Sequence, residues 1–268
     1  MKLQGNMSIR DGKLYINNFS MEYLRKKYKT PLYIVDETDF LDRCREFTEN
    51  FRSAVFDTEI LYASKALLNV YTAKLVKDMQ MSIDVVSGGE LYTVLRAGFP
   101  KERIYFHGNN KTTEELEYAL NEQIGCLVID NVQELANLKA LLRNRNTVQK
   151  VLLRVNPGIE AHTHEYIKTS KNDSKFGESI FDKRTPALVA EIDAFDKLDF
   201  RGFHTHIGSQ IFDESSFFKS AAVMMDFTQE IGKALGIRIP ELNLGGGYGI
   251  YYTRTDKNFN IGRFLRKY

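Results

Sequence analysis

"EILYASKALLN", residues 59–69, decides how the rest of the chain is read. An apolar, strand-like run ends at Ser64 and Lys65, and a helix-like run begins directly after it. A short strand followed at once by a helix is one βα unit. Lys65 stands at the junction, where a solvated loop charge is the ordinary expectation and an amine placed for covalent chemistry is the specific one.

Working outward, the same unit recurs. "MSIDVV" (81–86) precedes "GGELYTVLRAG", which Gly98 and Pro100 stop. "RIYFH" (103–107) leads through a polar turn to "TTEELEYALN", where Thr112 or Thr113 can cap and glutamates suit the helix start. "GCLVID" (125–130) precedes "VQELANLKALLRN", and "KVLLRVN" (150–156) precedes a predicted helix over 182–196. "FRGFHTHI" (200–207) precedes a long helix over about 215–235, and "ELNLGGG" (241–247) comes last. Leu67, Leu68, Tyr71, Leu75 and Met79 are the expected core face of the first helix, with Phe218, Ala221, Met225 and Ile231 that of the long one.

These are seven βα-type strands. Eight would close a (β/α)8 TIM-type barrel, and seven with a glycine-rich loop are what a barrel cut before its last strand would leave. An open doubly wound sheet is the alternative; strand count and the placement of polar residues favour the barrel. The first residues stand outside the series. "GKLYI" (12–16) and "PLYIV" (31–35) read as strands, while Phe40, Cys44, Phe47 and Phe51 give a helix with one apolar face. Two such strands need further strands to pair with, so residues 1–36 are expected to join a β partner and 37–268 to form the incomplete barrel.

Composition narrows the function. Of 268 residues, 43% are hydrophobic, enough for one large core. Lysine and arginine total 37 against 35 acidic residues, without a run of like charge, so neither nucleic acid nor a membrane surface is an expected partner. Cys44 and Cys126 lie far apart with no CxxC, which argues against a disulfide framework or a cysteine metal site. The charged N-terminus lacks the apolar core of a signal peptide, and no stretch reads as a membrane span, so a cytoplasmic protein is expected.

Barrels of this kind gather reactive groups where strands end. Lys65, Asp84, His107, Arg154, His206 and Gly245 to Gly247 all fall at such ends. Taken singly, Asp84 could cap a turn, Arg154 could pair with a surface acid and His206 could be a core histidine; the shared placement raises the functional reading. "NLGGGYG" (243–249) offers several amide donors close together, which suits a phosphate, and it lacks the spacing of dinucleotide or P-loop motifs. In "HIGSQ" (206–210) Ser209 could hold the same phosphate, and the His206 ring could stack on a flat aromatic ring. Phosphate site, stacking imidazole and lone lysine together point to pyridoxal phosphate, held by Lys65. Enclosure by Leu61, Tyr62 and Leu67 would lower the pKa of that lysine by desolvation. Metal binding by "HTH", present as His162/His164 and His204/His206, is the competing use; no nearby acid triad completes it.

"YASKAL", "DVVSGGEL", "HGNNKT", "RVNPGIEAHTHEYIKT", "SKFG", "HTHIGSQ" and "NLGGGYGI" occur in the order and spacing of diaminopimelate decarboxylases, which the chain resembles up to about Tyr252. That family has the alanine-racemase-like barrel also found in ornithine and arginine decarboxylases. The resemblance implies that Lys65 is the Schiff-base lysine, that His206 stacks on the cofactor, and that Ser209, Gly245, Gly246 and Gly247 bind its phosphate. It further implies Arg154 near the ring substituents and Asp84 with Glu90 on the lysine side. The implied reaction is loss of carbon dioxide from the D-centre of meso-diaminopimelate to give L-lysine, by a homodimer with shared sites. Related basic amino-acid decarboxylases, and a catalytically silent relative, are the alternatives.

Two departures stand out. Glu165 occupies a position where the family usually has proline, and the roles of Glu90, His107 and His162 are left open. Family members also continue into an EPGR segment, a Cys-containing segment contributed across the dimer and a β-rich domain. None of these is in the 268 residues, so little decarboxylase activity is expected of this chain by itself.

Overall fold

The computed structural model describes residues 2–159 and 176–268. His162, His164 and Glu165, with the whole of the "EAHTHEYIKT" stretch and the Ser-Lys half of "SKFG", lie outside the described residues. The chain divides into two compact units, Glu59–Gly249 and a smaller one made of Met1–Thr58 with Ile250–Tyr268.

In the smaller unit, β1 (Met7–Arg10), β2 (Lys13–Ile16) and β3 (Phe19–Ser20) form an antiparallel sheet in that order. "GKLYI" therefore pairs with neighbouring strands on both sides, β1 and β3. Helix α1 (Met21–Tyr28) follows, capped by the Ser20 side chain on the Tyr23 N–H. "PLYIV" forms no strand: Tyr33 is 99% exposed and Val35 also faces solvent, so its apolar content reflects no ladder of its own. The expected helix over Phe40 to Phe51 is α2 (Glu37–Asn50), with Cys44 buried, and Gly262 of the short last helix donates its N–H to Glu46.

In the larger unit, β4 (Leu61–Ala63), β5 (Ser82–Val85), β6 (Ile104–Phe106), β7 (Cys126–Ile129), β8 (Gln149–Asn156), β10 (Leu198–His204) and β11 (Glu241–Asn243) are parallel. The two-residue β9 (Glu178–Ser179) pairs beside β8. Each main strand lies next to the one before it in the chain, an order that winds one way around a barrel. A doubly wound sheet would reverse its order midway. Strands β6, β7 and β8 are almost wholly buried, as expected for strands covered on both faces.

The intervening helices are α3 (Val70–Asp78), α4 (Gly88–Arg96), α5 (Thr113–Glu122), α6 (Val132–Leu142), α7 (Thr185–Asp193) and α8 (Glu214–Leu235), with α9 (Ile261–Leu265) in the smaller unit. Asn69, Ser87, Thr112, Asn131 and Asp213 cap five of them, so those five strand-end loops each finish at a capped helix start. Two core faces differ from expectation. In α3 the buried residues are Thr72, Ala73, Leu75 and Val76, while Leu67 and Tyr71 are exposed. In α8 they include Phe217, Ser220, Met224, Phe227 and Ile231, with Phe218 and Met225 outside. Apolar residues occur on adjacent faces of both helices, so the sequence leaves their rotational phase open by one residue.

The sheet is curled. Glu59, just before β4, and Glu241, opening β11, sit at opposite edges of the strand order, yet both meet the Tyr105 hydroxyl of the interior strand β6. Tyr105 lies 3.3 Å from Glu59 Oε2, and the Ser82 hydroxyl bonds the other oxygen of Glu59. Seven strands laid flat would hold those edges about 29 Å apart. Among the described residues no helix is long and apolar enough to cross a membrane.

Candidate active site

All main strands run in one direction, so their C-terminal ends share a face. At the first of them β4 passes into a single 3-10 turn, Ser64–Ala66, with Lys65 at its centre. Ala63 stands opposite Asp84 in the parallel register, and the Ser64 N–H donates to Asp84 Oδ1 at 3.1 Å. Burial raises the Asp84 carboxyl to about 6, against the opposing pull of the Ser64 N–H and the Lys65 ammonium; Glu90 adds to the rise. Glu90, in the first turn of α4, folds back to accept the Val86 N–H at 2.6 Å. Lys65 is exposed and Leu67 is 40% exposed, so the expected apolar enclosure does not form; the Tyr62 hydroxyl instead donates to the Leu67 carbonyl at 2.8 Å.

Histidines from two strands face the same space. His107 follows β6 and His204 ends β10; both are buried, with ring centroids 4.6 Å apart and planes at 78°. Burial holds both imidazoles well below their usual range, reinforced by nearby positive charge that includes Arg154 and Lys65. His206, two residues beyond His204, is lowered to about 3 by burial, then by Lys65 and Arg154. Of the residues predicted from four different strand ends, His206 thus lies within electrostatic reach of Lys65 and Arg154, and Asp84 within reach of Lys65. Among the described residues no group of three or more His, Cys, Asp or Glu could hold a metal ion.

The loops after β10 and β11 are laced together. Thr205 N–H donates to the Asn243 carbonyl, Ile211 N–H to the Gly247 carbonyl and Gly249 N–H to the Ile211 carbonyl, at 2.8, 3.0 and 2.9 Å. This brings the loop that carries Ser209 alongside Gly245 to Gly247. Gly245 and Gly247 have φ of +71° and +97°, and a Cβ there would collide with the Thr205 and Gly208 carbonyl oxygens. Beside Gly246 lies open space, and its N–H approaches His206 Nδ1 at 3.4 Å. Glycine alone lets this loop present its amides so closely.

The donor set suits a flat, phosphorylated ring. It combines an amide cradle, an uncharged imidazole beside it and an exposed primary amine. Buried polar atoms with no hydrogen-bond partner among the described residues, His107 Nε2, His204 Nδ1, Thr205 Oγ1 and Ser64 Oγ, lie in the same strand-end segments.

Residues 38–267 match the family described as pyridoxal-dependent decarboxylase, pyridoxal binding domain. The chain belongs to this family. Pyridoxal phosphate is accordingly its cofactor, as the lysine, imidazole and glycine cradle led one to expect. The chain is 42% identical over 256 residues to the diaminopimelate decarboxylase of Bacillus subtilis, covering 96% of this chain and 58% of that one. It is 40% identical over 268 residues to that of Bacillus methanolicus, covering 100% and 62%. A crystal structure of the diaminopimelate decarboxylase of M. jannaschii in complex with L-lysine superposes with a TM-score of 0.88 at 31% identity, covering 98% of this chain and 61% of that one. The barrel fold and the resemblance read from "YASKAL" through "NLGGGYGI" are borne out. The chain spans about three-fifths of the length of these relatives.

Other polar residues of this face are not singled out by sequence. Lys111, Asp130 and Glu134 are buried next to Arg154, and His204, which the sequence offered only as half of a metal-binding pair, stands as the ring partner of His107. The available signals were a lysine in "HGNNKT", an aspartate ending "GCLVID" and the first histidine of "HTH".

Proposed function

We propose that the chain is the cofactor-binding part of a decarboxylase that releases carbon dioxide from the D-centre of meso-diaminopimelate and yields L-lysine. The observation that carries this reading is the gathering of Lys65, Asp84 and His206 beside the glycine cradle, in a chain so similar to diaminopimelate decarboxylases. Pyridoxal phosphate, when bound, supplies the electron sink for the pair left by the departing carboxylate.

The remaining work falls to the chain. Lys65 is the amine that holds the cofactor covalently, and its exposure at the mouth of the barrel leaves Nζ open to a carbonyl carbon. Asp84, about 6 in the fold, is mostly ionised at neutral pH and balances the lysine charge, with Glu90 supporting the same side. His206 stays neutral and offers an uncharged ring face for stacking. Backbone amides of Gly245 to Gly247 and the Ser209 hydroxyl would bind the phosphate, and Arg154 would lie by the ring substituents. A second copy of the whole protein completes the sites, in the cytoplasm.

The test is covalent capture. The protein incubated with pyridoxal phosphate, reduced with borohydride and digested should show a pyridoxyl mass on the peptide containing Lys65, and Lys65→Ala should lose it. Release of labelled carbon dioxide from carboxyl-labelled meso-diaminopimelate, but not from ornithine or lysine, then identifies the substrate. An unmodified Lys65 peptide in the wild-type protein would overturn the assignment.

A further inference from the structure

Arg154 ends a buried network of four charges, and the three behind it are left without a role by the reading above. Lys111, in the loop after β6, is 1% exposed in its side chain; its Nζ donates to the Gly108 and Val128 carbonyls at 2.8 Å each and lies 2.9 Å from Glu134 Oε1. Glu134, in the first turn of α6, is 4% exposed, and its Oε2 accepts the Asp130 N–H at 3.3 Å. Asp130, just past β7, points its carboxylate at Arg154 of β8, 3.6 Å from Nη1.

Arg154 is confined from the other side as well. The Phe176 ring centroid lies 4.5 Å from its Cζ. Gly177 must lack a side chain, since a Cβ would sit 3.0 Å from Arg154 Cγ and 2.9 Å from its carbonyl oxygen, at φ of +70°. The Gly177 N–H also bonds the Asp130 carboxylate.

Such a network is a poor way to gain stability. Desolvating two cations and two anions costs several kcal/mol per ion before pairing offsets it, and well-packed apolar side chains often serve as well or better. What charges supply and apolar groups do not is direction. The Arg154–Asp130 contact is too long for a hydrogen bond, so the guanidinium follows the field of a carboxylate that must itself be fixed from behind. Glu134 holds the Asp130 backbone, and Lys111 anchors Glu134 to the exits of β6 and β7.

We infer that Lys111 and Glu134 are positioning residues that fix Asp130 and, through it, the orientation of the Arg154 guanidinium toward the cofactor ring. This rests on the reading that Arg154 lies by that ring.

The experiment is a double-mutant cycle in the full-length protein, read as the dissociation constant for pyridoxal phosphate. Glu134→Gln keeps the shape and removes the charge; it should weaken binding about tenfold in the wild-type background and have little further effect in Arg154→Lys. Asp130→Asn should behave the same way and serves if Glu134→Gln does not fold. Equal losses in both backgrounds, or a lowered melting temperature with unchanged affinity, would overturn the inference. The nitrogen-15 shift of Arg154 Nε gives an independent reading in cofactor-free protein: either substitution should move it, and an unmoved resonance overturns the inference. If Lys65 takes up no pyridoxal, the functional reading fails while this resonance still reports whether Glu134 orients Arg154.

Discussion

Ser64 and Asp84 are joined by a 3.1 Å hydrogen bond from the backbone N–H of one to Oδ1 of the other, tying the turn that carries Lys65 to the neighbouring strand. The same carboxylate is pushed up to about 6 by burial. Its unfolded value is about 3.9, so the folded form binds the proton more tightly. Between about pH 4 and pH 6 its contribution to stability therefore falls as pH rises, by up to about 3 kcal/mol, and is constant above that window. Asp84→Asn keeps an acceptor for Ser64 and removes the charge. Urea unfolding from pH 4 to 7 should show a flatter profile in the variant; an identical slope would refute the burial of this charge.

His206 titrates with the opposite sign. Its imidazole is lowered to about 3, while an unfolded histidine titrates near 6.5, so the unfolded chain binds the proton first. Its contribution is complete above about pH 6.5 and is lost as pH falls, at up to about 1.4 kcal/mol per pH unit. The His206 ring should remain neutral in NMR spectra at pH 5. Lys65→Ala, which removes one of the opposing charges, should shift its titration upward.

The three glycines of the cradle should respond unequally. Gly245→Ala and Gly247→Ala force a Cβ onto a carbonyl oxygen at positive φ, and each should destabilise the protein by about 1–3 kcal/mol and abolish tight binding of pyridoxal phosphate. Gly246→Ala meets no atom within 4 Å and should fold normally. Thermal unfolding and calorimetric titration of the three variants check the order.

Tyr105→Phe should loosen the barrel from its other end. The phenol is the donor shared by the exposed Glu59 and the half-buried Glu241, and its removal leaves both carboxylates without it. A loss of about 1–3 kcal/mol in urea is expected. Glu241→Gln, which supplies a donor and removes a charge, should recover part of it in the double variant.

The succession of strands and helices is legible because the apolar runs are short and bounded, and because Asn69, Ser87, Thr112 and Asn131 announce each helix start. Lys65, Asp84, Arg154 and His206 are legible because a parallel βα series sends its strand ends to one face. "PLYIV" misleads because a strand is made by its partners, and Tyr33 has no ladder beside it. The phase of α8 is ambiguous because "FFKSAAVMM" is apolar around much of its circumference. Lys111 and Glu134 stay hidden for a different reason: they are 23 residues apart, and only strand order and loop path bring them together.

The bonds that Ile211, Gly247 and Gly249 contribute to the lacing of the loops after β10 and β11 use only main-chain atoms. Mutational drift at Ile211 or Tyr248 can therefore exchange side chains without severing the seam, whereas at Gly245 and Gly247 almost any replacement is lethal to it. Across descendants of this sequence, the information that preserves the cradle is concentrated in two positions that carry no side chain at all.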